Sequence, residues 1–233
     1  ILASAAGAIR GTGNAAAGRM GRMSTPTPVA GGQCATVTGL VLAGGQARRM
    51  GGSDKGLVPL AGRPMVEHVI EALRPQVASI LLSANRNHER YARYGYPVIA
   101  DDLGDYQGPL AGVAAALRQC TSGFLVTVPC DAPLLPPDLV VRLLTAREAG
   151  DVDAAVVHDG RRLQPVFLLL HSRAAPSLEA YLGCGGRRVD AWLNQLRTAV
   201  ADFSDRAAAF VNVNEPGERQ AAAPLLKPWS RGP

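Results

Sequence analysis

The chain has 233 residues, 47% hydrophobic and 18% charged, which suits one globular domain with a sizeable core. Its net charge of +5 comes almost wholly from scattered arginines, and no run of five or six like charges marks a nucleic-acid-binding tract. No stretch approaches the roughly 20 apolar residues of a membrane span, and the four cysteines show neither a C-x-x-C pair nor zinc-like spacing, so a soluble protein of a reducing cytoplasm is expected.

Residues 1–35 are rich in Ala, Gly, Ser, Thr and Pro without a hydrophobic period, and are expected to be a disordered extension. Within them Gly11-Thr12-Gly13-Asn14-Ala15-Ala16 matches a dinucleotide fingerprint, but no strand precedes it and no amphipathic helix follows. Regular structure is expected from Thr36, where residues 36–42 form a β-branched apolar run that ends in glycines, as a buried parallel strand does. A loop follows to Arg63; Pro64 then opens a helix whose Val66, Val69, Ile70 and Leu73 share one face.

The alternation continues with strands at 80–83, 97–100 and 124–128 and helices at 88–94, 109–119 and 137–148. Beyond them the pattern predicts strands at 154–158 and 166–170, helices at 177–182 and 190–196, a strand at 209–213, and a tail at 221–233 that begins as a frayed helix ended by Pro224. A single α/β domain over 36–220 follows, a Rossmann-like three-layer fold with a mostly parallel sheet.

Ligands of such sheets bind beyond the carboxyl ends of the strands, and four ends carry chemistry. After the first strand come Leu42, Ala43, Gly44 and Gly45, then Arg49, Gly51, Gly52 and Lys55. Glycines let backbone N–H groups turn toward phosphate oxygens, and Arg49 and Lys55 add fixed positive charge. Lys55 stands out because Lys227 is the only other lysine, and Asp54 before it rules out a Walker A loop. The second end is Asp101-Asp102, followed by Gly108-Pro109, a helix opening that favours anions.

At the third end Asp131 lies between Pro129 and Pro133, a rigidly held hard oxygen suited to Mg²⁺ that bridges substrate phosphates. Asp131 is expected to be an exposed carboxylate without a packing role, and Cys130 beside it a small hydrophobe rather than a nucleophile. The fourth end holds Asn212 and Asn214, which alternation would place on one face of a strand where paired amides read a polar ligand; capping of the final helix is the alternative role. His68, His88, His158 and His171 lack metal spacing, and His158 in His158-Asp159-Gly160 is expected to face a second substrate.

Leu42 through Gly45, Arg49 through Gly52 and Asp54-Lys55-Gly56 together resemble the signature of the molybdenum cofactor guanylyltransferases, in the nucleotidyltransferase superfamily. The likeness extends through 105–112, Cys130-Asp131-Ala132-Pro133, His158-Asp159-Gly160, Arg187-Arg188-Val189, 202–205 and 210–214.

The resemblance implies transfer of GMP from GTP to the terminal phosphate of Mo-molybdopterin, with Mg²⁺ as cofactor. Leu42, Ala43, Gly44, Gly45, Gly52, Lys55, Ser83, Asp101, Gly108 and Asp131 would hold GTP, with Lys55, Arg49 and Asp131 catalytic and Asp131 the metal ligand. Arg188, Asn212 and Asn214 would meet molybdopterin. Ser83, with Asn85 two residues on, replaces an asparagine that the family commonly uses for guanine, so Ser83→Asn is expected to strengthen GTP binding. Transient contacts with molybdenum-insertion proteins and with chaperones of acceptor molybdoenzymes are implied, and neither nucleic acid nor membrane. The competing readings are a molybdopterin cytidylyltransferase, which commonly has Ala-Ala-Gly at the first loop and no Cys before the aspartate, a sugar-phosphate nucleotidyltransferase, and a non-catalytic molybdopterin carrier.

Overall fold

The computed structural model describes residues 34–43, 54–100, 108–213 and 216–226. The expected extension, apart from its last two residues, lies outside these, as do Gly44, Gly45, Arg49, Gly52, Asp101 and Asn214.

Strand β1 (Cys34–Leu42) begins two residues before the expected start and runs through the centre of a seven-stranded sheet. A two-stranded ribbon, β2 (Pro59–Leu60) and β3 (Arg63–Pro64), occupies what the sequence presents as loop. Helix α1 (Met65–Leu73) then buries Val66, Val69, Ile70 and Leu73, the four positions that the helical period picks out. β4 (Val77–Ser83), α2 (His88–Ala92), β5 (Val98–Ile99), α3 (Pro109–Gln119), β6 (Phe124–Pro129), α4 (Leu139–Gly150) and β7 (Ala154–His158) continue the alternation. β8 (Leu163–His171), α5 (Ala175–Gly183), α6 (Val189–Leu193), β9 (Thr198–Asp202) and α7 (Pro216–Ala222) complete it.

The sheet order is β5-β4-β1-β6-β8-β7-β9. β4 and β6 flank β1 in parallel, β5 is parallel to β4 and β9 to β7, while β8 is antiparallel to both β6 and β7. The chain leaves β1 toward β4 with α1 on one face and returns from β5 to β6 with α3 on the other, because right-handed crossovers change face when their direction reverses. Two apolar layers result: Val37, Val41, Val126 and Val128 meet α1 and α4, and Leu40, Leu81 and Leu125 meet α3, α5 and α6.

Two expectations fail in the second half. The strand expected at 209–213 is the end of a 3-10 segment (Ser204–Phe210) followed by extended chain without a ladder partner. Phe210 and Val213 are buried but sit in different apolar clusters, and Val211 between them is half exposed, so their alternation arises without a sheet. The strand missed is β9, whose alternation is carried by a buried Ala201 and an exposed Val200 on the sheet edge. The start of the tail is also less frayed than expected: α7 ends at Ala222, which is buried with Leu60, Met65 and Val213, and a 3-10 turn carries Pro224.

β8 breaks register with β7 between Val156 and Val157, whose partners are Leu168 and Gln164. At this irregularity the Thr127 hydroxyl, reaching across from β6, donates to the Val166 carbonyl at 2.6 Å. Thr127 is only 1% exposed. Thr127→Val keeps the shape and leaves that carbonyl without its donor, so unfolding stability should fall by about 1–2 kcal/mol with an unchanged denaturant slope. Urea titration of both proteins checks it, and equal midpoints would show that the bond is inconsequential.

Candidate active site

The carboxyl ends of β4, β1 and β6 align in one row. Leu42 pairs in register with Ser83 on one side and Pro129 on the other. The row extends past the strands: the Ala43 N–H donates to the Ser83 carbonyl at 2.8 Å and the Cys130 N–H to the Leu42 carbonyl at 3.1 Å. The Val213 N–H donates to the Asp131 carbonyl at 2.8 Å, which holds Asn212 beside Asp131 on exposed irregular chain rather than on the expected strand.

Lys55, in a 3-10 turn (Lys55–Leu57), brings Nζ to 3.3 Å from Asp131 Oδ2. The lysine side chain is 36% exposed and the aspartate side chain 10%. Asp131 is therefore an enclosed carboxylate paired with the lone interior lysine, not the exposed group that the sequence suggests. Cys130 is buried, and burial with the negative charge of Asp131 and Asp54 pushes its thiol well above the usual range. It stays neutral, as a packing residue and not as a nucleophile.

Ser83 is buried under α3. A Cβ placed on Gly112 would lie 2.3 Å from Ser83 Oγ and 3.3 Å from Leu42, so the hydroxyl faces the helix backbone. This close approach needs glycine at 112 and a small residue at 83. One turn before Gly112, Gly108 (φ +84°) precedes Pro109 at the start of α3, whose unpaired first N–H groups thus lie at the carboxyl edge of the sheet. The Arg187 carbonyl lies next to Gly108, so the segment that bears Arg188 reaches this helix start. The Arg188 side chain itself is 78% exposed and paired with Asp190.

Other residues prove to organise loops. Asp159 Oδ1 accepts from the backbone N–H groups of Arg161 and Arg162, both at 2.8 Å, and Oδ2 accepts from the Gln164 amide at 2.6 Å. His158 Nδ1 accepts from the Gly160 N–H at 3.1 Å and His171 Nδ1 from the Arg173 N–H at 3.1 Å. His68 is buried with Nε2 2.9 Å from the Leu60 carbonyl, and His88 is exposed. His158 and Asp159 thus shape the turn between β7 and β8. The sequence also gives little weight to a group around Asp54: Tyr91 and Asn87 both donate to its carboxylate. Tyr91 could have been suspected as the buried aromatic of the otherwise polar helix His-Glu-Arg-Tyr-Ala.

Among the described residues no group of three or more His, Cys, Asp and Glu side chains can hold a metal ion. Asp131, among these residues, is an enclosed carboxylate at the strand ends, which fits Mg²⁺ shared with substrate phosphates better than a closed protein cage, because that ion keeps few protein ligands.

A mostly parallel sheet with its switch point at β1, a lysine and an aspartate meeting there, and a helix start at the same edge define a nucleotidyltransferase. The fold is shared with 2-C-methyl-D-erythritol 4-phosphate cytidylyltransferase from Thermus thermophilus (16% identity, TM-score 0.60, 80% of this chain and 96% of that one). It is also shared with molybdopterin-guanine dinucleotide biosynthesis protein A from Archaeoglobus fulgidus (25% identity, TM-score 0.68, 81% and 97%). The family model of the MobA-like NTP transferase domain matches residues 39–201. The molybdenum cofactor guanylyltransferase of Shewanella sediminis is 51% identical over 184 residues, 79% of this chain and 94% of that protein. The chain belongs to the molybdenum cofactor guanylyltransferase family.

The Ser83 and Asp159 environments yield two predictions. An amide at position 83 must push against the Gly112 backbone, so Ser83→Asn should lose about 1–3 kcal/mol of stability by overpacking. The gain in GTP affinity suggested by the family's asparagine is not expected on this backbone. Thermal melts with and without GTP check both, and a variant as stable as the parent with tighter GTP binding would contradict them.

Burial alone would raise the Asp159 carboxyl, but the N–H of Arg162, the Gln164 amide and the N–H of Arg161 outweigh it and hold it down at about 2. The stability from this lowered group is complete above its unfolded value of about 4 and is lost as pH falls toward about 2. Asp159→Asn should therefore melt below the parent at neutral pH, with the gap closing across that acid window; a gap independent of pH would refute the assignment.

Proposed function

We propose that the protein transfers GMP from GTP to the terminal phosphate of Mo-molybdopterin, releasing pyrophosphate and forming Mo-molybdopterin guanine dinucleotide. The observation that carries this reading is the Lys55–Asp131 pair at the carboxyl ends of β1 and β6, in a chain 51% identical to a molybdenum cofactor guanylyltransferase. The pterin phosphate oxygen attacks the α-phosphorus, the bond to the β-phosphate oxygen breaks, and the electron pair leaves with pyrophosphate. No protein nucleophile is required, in keeping with the neutral buried thiol of Cys130.

Leu42, Ala43, Gly44, Gly45 and Gly52 line the nucleotide in this reading, with Arg49 and Lys55 on its phosphates, the Gly108 helix start facing negative charge, and Asp101 on the GTP. Arg188, Asn212 and Asn214 meet the pterin. Asp131 would hold Mg²⁺, which would supply neutralisation of phosphate charge. The chain's own part is orientation: Asp131 is enclosed and fixed by its neighbours' backbone bonds, and Lys55 lies close enough to serve the same phosphates.

A reducing cytoplasm is the proposed location, and no described helix is long and apolar enough to cross a membrane. Molybdenum-insertion proteins and the chaperones of acceptor molybdoenzymes are the proposed transient partners.

The test is pyrophosphate release on mixing the protein with Mo-molybdopterin, Mg²⁺ and either GTP or CTP. Release with GTP well above that with CTP is expected; release favouring CTP would move the protein to cytidylyl transfer, and binding without release would make it a carrier. In the same assay Asp131→Ala should lose on the order of 10²- to 10³-fold in turnover, as when one electrostatic stabiliser is removed. Its melting temperature should change little, since Lys55 can turn to solvent once its partner is gone. Normal turnover at saturating Mg²⁺ would take Asp131 out of the site.

A further inference from the structure

A phosphate-binding lysine is only as well placed as the backbone beneath it. Lys55 opens the 3-10 turn Lys55–Leu57, with Asp54 at its N-terminal boundary. The turn that carries Lys55 is held from elsewhere. Asp54 occupies the position just before the turn, where an aspartate ordinarily caps the first N–H groups, yet its side chain makes no such bond. Instead Oδ1 accepts from the Tyr91 hydroxyl at 2.6 Å and Oδ2 from the Asn87 amide at 3.1 Å.

Tyr91 lies near the end of α2 and Asn87 is the residue before that helix, and Tyr91 packs on the same face of the sheet as α1. Tyr91 is completely buried in the core layer that includes Leu57 and Cys130. Asn87 is held in the left-handed region at φ +53°, which asparagine tolerates better than most residues. Gly56 completes the contact: a Cβ there would lie 2.6 Å from the Tyr91 hydroxyl and 3.3 Å from both Cβ and Sγ of Cys130. The lysine's turn is thus seated between Tyr91 and the end of β6, so that Lys55 and Asp131 meet across it. Burial, then the proximity of Cys130 and Asp54, keeps the Tyr91 hydroxyl protonated and able to donate throughout the working range.

We propose that Tyr91 is a positioning residue for Lys55: acting through Asp54, it fixes the turn that carries the lysine and so sets how strongly the site grips the triphosphate of its nucleotide. This rests on the reading of the site as a nucleotide site. Tyr91 touches no phosphate itself. Its effect is expected on the phosphates, because the turn that Asp54 precedes begins at Lys55, the residue placed on them in this reading.

The experiment is calorimetric titration of GTP and of guanosine into the parent, Tyr91→Phe, Lys55→Ala and the double variant. Tyr91→Phe removes only the hydroxyl; the Kd for GTP should rise about tenfold, the factor for one hydrogen bond to a charged group. Guanosine affinity should stay within about twofold, and in the Lys55→Ala background Tyr91→Phe should change the GTP Kd by less than about twofold, the signature of coupled residues. Equal weakening of GTP and guanosine, the same loss with and without Lys55, or unchanged GTP affinity would each overturn the proposal.

If Tyr91→Phe does not fold, Asp54 carries the same test. Asp54→Asn keeps an acceptor for Tyr91, and Asn87 can turn its amide to match, so the variant should bind GTP within about twofold of the parent while Asp54→Ala loses about tenfold. Equal binding by the two overturns it. Failure of the parent to bind GTP would count against guanylyl transfer alone, since CTP and cytidine then supply the same comparison of triphosphate with nucleoside.

Discussion

The parallel register of β4, β1 and β6 is the constraint on which the site depends. Because Leu42 lies level with both Ser83 and Pro129, the next residue on each strand leaves the sheet at the same height. The backbone bonds from Ala43 to Ser83, Cys130 to Leu42 and Val213 to Asp131 extend that alignment into the loops. A one-residue slip of β6 would turn its side chains to opposite faces and send Asp131 away from Lys55. The chemistry of the edge is thus inherited from hydrogen bonds that involve no functional side chain.

Close packing supports the same edge from behind. Helix α3 is rich in Gly and Ala, with Ala111, Gly112, Ala114, Ala115 and Ala116 all buried, so it rides low enough for its backbone to touch Ser83. Its first turn thereby comes down to the level of the strand ends rather than above them. On the other face the bulk is supplied by Val, Leu, Tyr and Phe, including the Phe167, Phe203 and Phe210 rings, which meet edge to face with centroids 4.9 and 5.1 Å apart. A thin helical layer and a thick one enclose one sheet.

Much of this could be read from residues alone. Apolar patterns locate α1, α3, β6 and β7 nearly to the residue: α1 has one buried face, whereas α3, β6 and β7 are short apolar runs buried at almost every position and bounded by turn residues. The 198–202 strand escaped because its inward positions are alanines, whose burial leaves little hydrophobic contrast, and 209–213 misled because two large apolar residues alternate there for unrelated reasons. Lys55 and Asp131 were identifiable by chemistry and by their place after strands, and the structure brings them to 3.3 Å. Their enclosure was not identifiable, nor was the link from Asp54 to Tyr91 and Asn87, since a contact spanning 37 residues leaves no local period. Ser83 shows the converse: position in the chain suggests base recognition, but which way its hydroxyl points depends on a glycine in a helix 29 residues on, beyond what local sequence reports.

The reversed strand β8 divides the sheet in a way that bears on how such proteins diversify. Its antiparallel course puts the short 159–162 connection on the same edge as the ends of β6, β7 and β9, while the chain beyond His171 starts from the opposite edge. Segments 159–162 and 203–212 therefore emerge on the edge that also carries Asp131, each from a strand whose ladder closes before the segment begins. Such segments can lengthen or change sequence without shifting the register of β4, β1 and β6. The architecture separates a half that fixes the edge where Lys55 meets Asp131 from a half whose connections are not tied to that edge, so one sheet can keep its means of handling a triphosphate while those connections change.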